Sequence, residues 1–187
     1  MNLKLRKLAC LLSVATLALG TAGCTSSTAQ GVLISAHDSA QETATPVTAV
    51  VGMVSPNFSL LDYEGKRHQL SEYRGKLLLL NFWASWCGPC RQELPDLAAA
   101  SQELRDRVQL VGVNLASQDA ANVSKDLLQR HHISYPNLLD TDGSVADAYG
   151  IMVIPTSFLL DANGKILQKI QGPLTKDSLE KLLPKTK

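Results

Sequence analysis

A continuous apolar run, L-L-L-L-N-F-W at 77–83, is followed within a few residues by the tetrapeptide Cys-Gly-Pro-Cys at 87–90. Such a run, without polar alternation, is typical of a β-strand that is buried on both faces of a sheet. Pro89 suits the first turn of a helix, where a missing N–H group has no partner to lose. We therefore predict a buried strand at 77–83 and a helix from 88 to about 105, with Cys87 at their junction. A sheet covered by helices on both faces accommodates this unit.

The segments on either side of this unit alternate between strand and helix patterns. The turn signals E-G-K near the start and A-N-G near the end each separate two short apolar segments, so each pair is expected to form a β-hairpin. The predicted strands are 57–61, 67–70, 108–115, 136–139, 157–161 and 165–171, and the predicted helices are 120–132, 144–149 and 176–183. This order predicts an α/β fold, with a central mixed β-sheet flanked by helices on both faces and an N-terminal β-hairpin.

Residues 1–23 have the pattern of an export signal. Lys4, Arg6 and Lys7 precede an apolar run at 8–19, which is too short to cross a bilayer that needs about 20 residues. Once this leader is removed, acidic residues slightly outnumber basic ones. The chain then lacks the basic surface that nucleic acid would require, and we expect no nucleic-acid partner.

The apolar run ends in G-T-A-G-C, and its A-G-C at 22–24 resembles the cleavage site of a bacterial lipoprotein signal, which implies that Cys24 is lipidated and becomes the new N-terminus. Thr21 departs from that pattern, because Leu is the usual residue there. An ordinary signal peptide cut nearby, or an uncleaved short anchor, is the alternative. Residues 24–51 are rich in Ser, Thr, Ala and Gln and are expected to form a tether, and 52–187 the folded domain.

The cysteine count narrows the chemistry of the tetrapeptide. Of the four cysteines, Cys10 lies in the leader and Cys24 is the candidate for lipid, so only Cys87 and Cys90 remain as thiols. A zinc site would need a second pair or two histidines at ligand spacing, and neither is evident, so we expect no metal. A structural staple is a weak interpretation, because so small a loop constrains little of the unfolded chain. At a helix N-terminus the Cys87 thiolate would be stabilised, and the thiolate attacks disulfides.

The sequence W-C-G-P-C, together with Pro95 and I-P-T at 154–156, resembles the thioredoxin superfamily. The resemblance is closer to its exported, membrane-tethered TlpA/ResA-like branch and covers residues 52–187. It extends to the segments V-G-V-N, L-L-D-T-D-G and I-P-T-S-F-L-L-D-A-N-G-K. It implies a thioredoxin-like fold and a thiol–disulfide oxidoreductase that needs no cofactor.

The resemblance also implies site residues. The peptide bond before Pro155 is expected to be cis, with the backbone of Ile154 offered to the substrate chain. An ordinary trans proline that ends a loop is the alternative. Trp86, next to the first cysteine, is expected to flank the site and contact substrate.

Glu93 lies three residues after Cys90, so the two side chains share a helix face. Thioredoxin has a buried acid at the position that Asn81 occupies here, whereas the exported branch has Asn there and Glu at the place of Glu93. This implies that Glu93 takes the proton from Cys90 as it attacks the mixed disulfide. The alternative is a solvated helix glutamate.

The resulting hypothesis is an exported thiol–disulfide oxidoreductase that reduces protein disulfides. It would be lipid-anchored at the outer face of the bacterial cytoplasmic membrane or in the periplasm. The partners that the resemblance implies are protein disulfides, with apocytochrome c among the candidates, and a membrane electron donor for re-reduction. Two alternatives stay open: a peroxiredoxin-like thiol peroxidase, and a non-catalytic module that holds apocytochrome chains. The peroxidase usually has Thr three residues before its cysteine, where this chain has Ala84.

Overall fold

The computed structural model describes residues 49–184, and the expected leader, Cys24 and most of the expected tether lie outside this range. Within it the chain forms seven strands, four α-helices and one 3-10 turn at Leu70–Tyr73. The strands are β1 (Ser59–Asp62), β2 (Arg67–Gln69), β3 (Leu77–Trp83), β4 (Val108–Asn114), β5 (Asn137–Leu139), β6 (Thr156–Leu160) and β7 (Ile166–Gln171). The helices are α1 (Gly88–Glu103), α2 (Ala121–Arg130), α3 (Ser144–Ala148) and α4 (Lys176–Leu182).

The strands form one mixed sheet in the order β2-β1-β5-β4-β3-β6-β7. β3 pairs in parallel with β4, which pairs in parallel with β5 through the crossover that contains α2. On its other side β3 pairs antiparallel with β6, and β1, β2 and β7 add further antiparallel pairs. The predicted α/β fold with a mixed sheet is confirmed. As a result β3, the strand that leads to the cysteines, lies in the interior of the sheet.

Both predicted hairpins form, and their turns share one local sequence device. Each turn reads Asp-x-x-Gly-Lys, beginning at Asp62 between β1 and β2 and at Asp161 between β6 and β7. In each, the aspartate Oδ1 accepts hydrogen bonds from the backbone N–H groups two and four positions later. Gly65 and Gly164 have φ near +80°, a region that glycine enters without strain. Side-chain capping of this kind competes with strand pairing and reverses the chain direction.

The two faces of the sheet carry separate apolar layers, because successive side chains of β3 point to opposite sides. Leu80 and Phe82 pack into the layer that α3 covers. Leu79 packs into the layer that α1 and α4 cover through Leu97 and Leu179. The apolar run of β3 is therefore explained by burial on both faces, as predicted. It also brings the end of β3 under the first turn of α1.

The ends of the strands and helices lie within about two residues of the predicted ones. α2 covers Ala121–Arg130 rather than 120–132, because His132 adopts φ +52° and turns the chain out of the helix. Packing on the core also begins before residue 52: Ala49 is buried, and its backbone N–H donates to the carbonyl oxygen of Ala148. The division of the chain into leader, tether and domain stays a prediction.

Candidate active site

Cys87 lies at the junction of β3 and α1, as the sequence predicts. It is the N-cap residue of α1, and the backbone N–H of Cys90 donates to its sulfur at 3.1 Å. The two sulfurs are bonded at 2.12 Å, so the structure represents the oxidised protein. In the reduced protein this N–H group and the positive end of the helix dipole would favour the Cys87 thiolate.

The two cysteines differ in their access to solvent. Cys90 is fully buried, and it packs with Trp83 and Leu94 beneath the helix. Cys87 retains a small exposed surface beside Trp86, whose side chain is 56% exposed. A substrate disulfide could therefore approach Cys87 and not Cys90.

The loop before β6 lies directly against the disulfide. The Ile154–Pro155 peptide bond is cis, and the carbonyl oxygen of Ile154 lies 3.7 Å from the sulfur of Cys87. The Thr156 hydroxyl donates to the carbonyl oxygen of Val153 at 2.7 Å and braces the loop from inside. The structure thus brings Trp86, Ile154 and Cys87 together at one surface.

An apolar groove of about 390 Å³ opens on this surface, beside the cysteine pair. Its lining contains no charged side chain and consists of Trp86, Leu115, Gln118, Ile151, Met152, Val153 and Ile154. Three of these apolar side chains are more than half exposed, namely Trp86, Met152 and Val153. We call this feature the apolar groove. Exposed apolar surface of this kind marks binding sites.

Glu93 is buried, so its interpretation as a solvated helix residue is wrong. Its side chain projects from α1 into the interior and is 2% exposed. One carboxylate oxygen accepts from Asn81 Nδ2 at 2.9 Å, and the other accepts from the backbone N–H of Leu174 at 2.9 Å. Burial raises the pKa of Glu93 to about 7, although both hydrogen bonds act in the opposite direction. A carboxylate with a pKa near neutrality is suited to accept and release a proton.

Asp119, which no sequence pattern singled out, joins the active-site loop to the neighbouring loop. Asp119 Oδ2 accepts from the backbone N–H of Ser85 at 2.6 Å and from Asn114 Nδ2 at 2.7 Å, and Oδ1 accepts from the Ser85 hydroxyl at 2.5 Å. Trp86 is held by the same loop, since its indole N–H donates to the carbonyl oxygen of Gln118 at 3.0 Å. The sequence holds part of the signal: β3 and β4 are predicted as buried strands, and residues that follow neighbouring parallel strands meet at one sheet edge. It does not establish that these two strands are neighbours.

Within residues 49–184, the side chains of His, Cys, Asp and Glu form no cluster of three or more that could hold a metal ion. The same part of the chain contains no helix with the length and apolar character needed to cross a membrane.

The fold and the site together define a class: a thioredoxin-like domain with a redox-active cysteine pair at the N-terminus of a helix. Residues 51–169 match the AhpC/TSA family. The chain belongs to this family, which is part of the thioredoxin superfamily.

One such relative is the thiol-disulfide oxidoreductase ResA of Geobacillus thermodenitrificans, which is 39% identical over 147 residues, 76% of this chain and 82% of the relative. Among solved structures, StoA from Bacillus subtilis is 34% identical, covers 68% of this chain and 96% of its own, and superposes with a TM-score of 0.60. The exposed lipoprotein thioredoxin Etrx1 from Streptococcus pneumoniae is 30% identical, covers 67% and 96%, and has a TM-score of 0.59.

The protein is a thiol–disulfide oxidoreductase that acts on protein disulfides, and such relatives indicate an extracytoplasmic protein. The peroxidase alternative is not favoured. Its usual threonine is replaced by Ala84, which is fully buried and offers no hydroxyl to a peroxide.

Proposed function

We propose that this protein is a reductant of protein disulfides and that it works outside the cytoplasm through the Cys87–Cys90 dithiol. The observation that carries the proposal is the hydrogen bond from the Cys90 N–H group to the Cys87 sulfur at the first turn of α1. This contact would keep the Cys87 thiolate available at neutral pH in the reduced protein. The Gly-Pro pair between the cysteines resembles the pair in reducing thioredoxins more than that in strong oxidants. It therefore supports reduction of the substrate as the direction of the reaction.

The reaction proceeds in two exchanges. The Cys87 thiolate attacks one substrate sulfur and forms a mixed disulfide, while the other substrate sulfur leaves as a thiolate and takes a proton from solvent. Glu93 then accepts the proton of the Cys90 thiol, and the Cys90 thiolate attacks the Cys87 sulfur. The remaining substrate sulfur leaves as a thiolate and is protonated in turn. Two electrons have passed to the substrate, Cys87 and Cys90 are joined as a disulfide, and Glu93 returns its proton to solvent.

The substrate chain binds across the apolar groove. Trp86 and the cis-proline loop form its two walls, and the backbone of Ile154 lies next to the sulfur that attacks. Pro155 carries no N–H group, so it leaves the Ile154 carbonyl as the nearest backbone partner for an incoming chain. The uncharged lining supports a substrate segment with apolar residues beside its cysteine.

The location and partners follow from the sequence expectations. Cys24 would carry a lipid anchor that holds the domain at the outer face of the membrane. A protein that leaves each cycle oxidised needs a membrane electron donor to recharge it. Apocytochrome c is the proposed substrate, because the resemblance to ResA-like proteins extends over the domain.

A trapping experiment tests the proposal. Cys90→Ala leaves Cys87 able to form a mixed disulfide that nothing resolves. We expect substrate proteins to be held on Cys87 and released by dithiothreitol, and the matched Cys87→Ala, Cys90→Ala double variant to hold none. If the single variant captures no more than the double variant, the reductant proposal fails. A Cys87–Cys90 disulfide that resists mild reductants would favour the non-catalytic holding module instead.

A further inference from the structure

A chain of three buried polar side chains joins α1, β3 and β6 behind the cysteine pair. Asn81 Nδ2 donates one hydrogen to Glu93 Oε1 at 2.9 Å and the other to the Ser157 hydroxyl oxygen at 3.0 Å. The three side chains are at most 2% exposed. Both hydrogens of the Asn81 amide are therefore used inside the protein, where water does not compete for them.

The other end of the same amide has no partner. Asn81 Oδ1 is buried, and no donor of the described residues lies within hydrogen-bond distance of it. A buried acceptor left unpaired is unfavourable, and most such atoms in proteins are satisfied. Asn81 thus donates to Glu93 and Ser157, and its Oδ1 acceptor has no partner among the described residues.

The partners of Glu93 determine which of its oxygens can carry a proton. Oε2 faces the backbone N–H of Leu174, which can only donate, so this oxygen must remain an acceptor. Oε1 faces only Asn81. Titratable groups near Glu93 include Cys90, on the same helix face, and the buried Tyr135, whose pKa is raised by burial and further by the Glu93 charge. The proton therefore belongs on Oε1, next to the amide.

We propose that Asn81 is a positioning residue that reverses its side-chain amide when Glu93 takes the proton of Cys90. The structure has Nδ2 donating to Oε1, which is the arrangement that ionised Glu93 requires. With Glu93 protonated, rotation of the amide lets Oδ1 accept from the Glu93 O–H group and from the Ser157 hydroxyl. The contacts to Glu93 and Ser157 then exist in both protonation states with donor and acceptor exchanged, and Nδ2 takes the place that Oδ1 held before. This inference rests on the role of Glu93 under the proposed function.

The amide is suited to this task where other residues are not. An ionised aspartate at this position could not donate to ionised Glu93, and the two carboxylates would repel, so one of them would have to hold a proton at all times. A leucine of similar size would offer neither a donor nor an acceptor. Of asparagine, aspartate and leucine, only asparagine can place either a neutral N–H donor or an acceptor oxygen against Glu93 Oε1 through one rotation of its side-chain amide.

Nuclear magnetic resonance of the oxidised protein between pH 5 and 9 tests the rotation. We expect the Glu93 carboxyl carbon and the Asn81 side-chain amide to titrate with one midpoint, and the Asn81 titration to be absent in Glu93→Gln. We also expect contacts between the Asn81 amide protons and the Ser157 Hβ protons at high pH, and their loss at low pH. Asn137 is the internal control, because both ends of its buried amide are partnered, by Trp83 Nε1 and by the Tyr135 carbonyl oxygen.

The kinetics of two Asn81 variants provide a second test of the proposal. Asn81→Leu should slow the resolving attack of Cys90 about tenfold or more while the KM for substrate stays unchanged, and Asn81→Asp should split the titration of Glu93 into two steps. If Glu93 titrates while the Asn81 contacts to Ser157 persist at every pH, the rotation is overturned and the proposed function stands. If Glu93 does not titrate and Glu93→Gln turns over like wild type, the role of Glu93 fails, and the rotation fails with it.

Discussion

The Glu93 carboxylate accepts a 2.9 Å hydrogen bond from the backbone N–H of Leu174, 81 positions later in the chain. Leu174 lies in the loop between β7 and α4. The start of α4 is joined to α1 by a hydrogen bond and an ion pair. The backbone N–H of Lys176 donates to Asp96, and its ammonium group pairs with Glu103 at 2.6 Å. The burial of Glu93 therefore depends on the last helix of the described domain, which packs over the site only when the fold is complete.

This burial predicts how stability depends on pH. The pKa of Glu93 rises from an ordinary 4.5 to about 7 on folding, so the folded protein binds the proton more tightly than the unfolded chain. This contribution to stability is fully present below pH 4.5 and is lost as the pH rises through 7. We expect the free energy of unfolding of the oxidised protein to fall by up to about 3 kcal/mol over this range on account of Glu93. Chemical denaturation at pH 5 and pH 8 measures it.

Two variants separate this effect from the rest of the protein. Glu93→Gln removes the titrating group and should flatten the difference between pH 5 and pH 8. Glu103→Gln is the matched control, because this α1 carboxylate is 56% exposed and pairs only at the surface. If the free energy of unfolding of Glu93→Gln depended on pH as strongly as that of wild type, the effect could not be assigned to Glu93.

Glu93 also predicts an unusual combination of kinetic effects. Removing a carboxylate near Cys90 should lower the thiol pKa, because a second negative charge is no longer disfavoured. The same Glu93→Gln change should slow disulfide reduction by about 10²–10⁴-fold, since the Cys90 proton loses its acceptor. Thiolate absorbance and the reduction of one reference disulfide measure the two effects in parallel. A variant that matches wild type in both would leave Glu93 without a chemical role.

The sequence predicts the part of this site that is local. The buried strand, the cap position of Cys87 and the shared helix face of Cys90 and Glu93 all follow from neighbours along the chain. The burial of Glu93 does not, because it depends on Asn81 and Leu174, which reach it from another strand and from a distant loop. From its immediate neighbours, Arg91 and Gln92, a solvated residue was the simpler expectation.

Asp119 is a second residue whose contacts cannot be predicted from its neighbours along the chain. Its partners Ser85 and Asn114 are brought together only because β3 and β4 pair in parallel and end side by side. Neither the composition of that loop nor its spacing specifies which polar residue closes the contact. Strand order in the sheet has to be known first.

The same contact predicts a variant with a defect in substrate binding. Asp119→Ala removes three hydrogen bonds to a carboxylate and leaves the Ser85 N–H group without its partner. Hydrogen bonds to charged groups contribute about 1.5–3 kcal/mol each, but these three are only part-buried, so water replaces much of what is lost. We therefore expect a stability loss of at least about 2 kcal/mol, and a higher KM as Trp86 loosens. Ser85→Ala is the control, since it loses the hydroxyl and retains the backbone contact. Equal values for wild type and Asp119→Ala would exclude a bracing role.

The lipid anchor leads to a prediction outside the described residues. If Cys24 is lipidated, cells that express the protein should incorporate palmitate into it, and a salt wash should leave it on the membrane. Cys24→Ser should lose the label, whereas Cys10→Ser, in the expected leader, should retain it. Stable anchoring requires more than one acyl chain, because a single chain binds with K of only about 10⁴ M⁻¹. An unlabelled wild-type protein would remove the lipoprotein assignment and leave the redox chemistry intact.

The last prediction concerns which cysteine attacks. In the oxidised structure the backbone N–H of Cys90 donates to the Cys87 sulfur at the positive end of α1, while the Cys90 side chain is fully buried. We expect both features to persist in the reduced protein. The thiolate is the reactive species, so Cys87 should alkylate faster than Cys90 during a brief iodoacetamide pulse at neutral pH. Mass spectrometry of the two labelled positions measures the ratio, and the denatured reduced chain, where both thiols are open, should lose most of the preference. Faster labelling of Cys90 in the folded protein would exchange the two roles and place the attacking sulfur inside the domain, where no substrate chain reaches it.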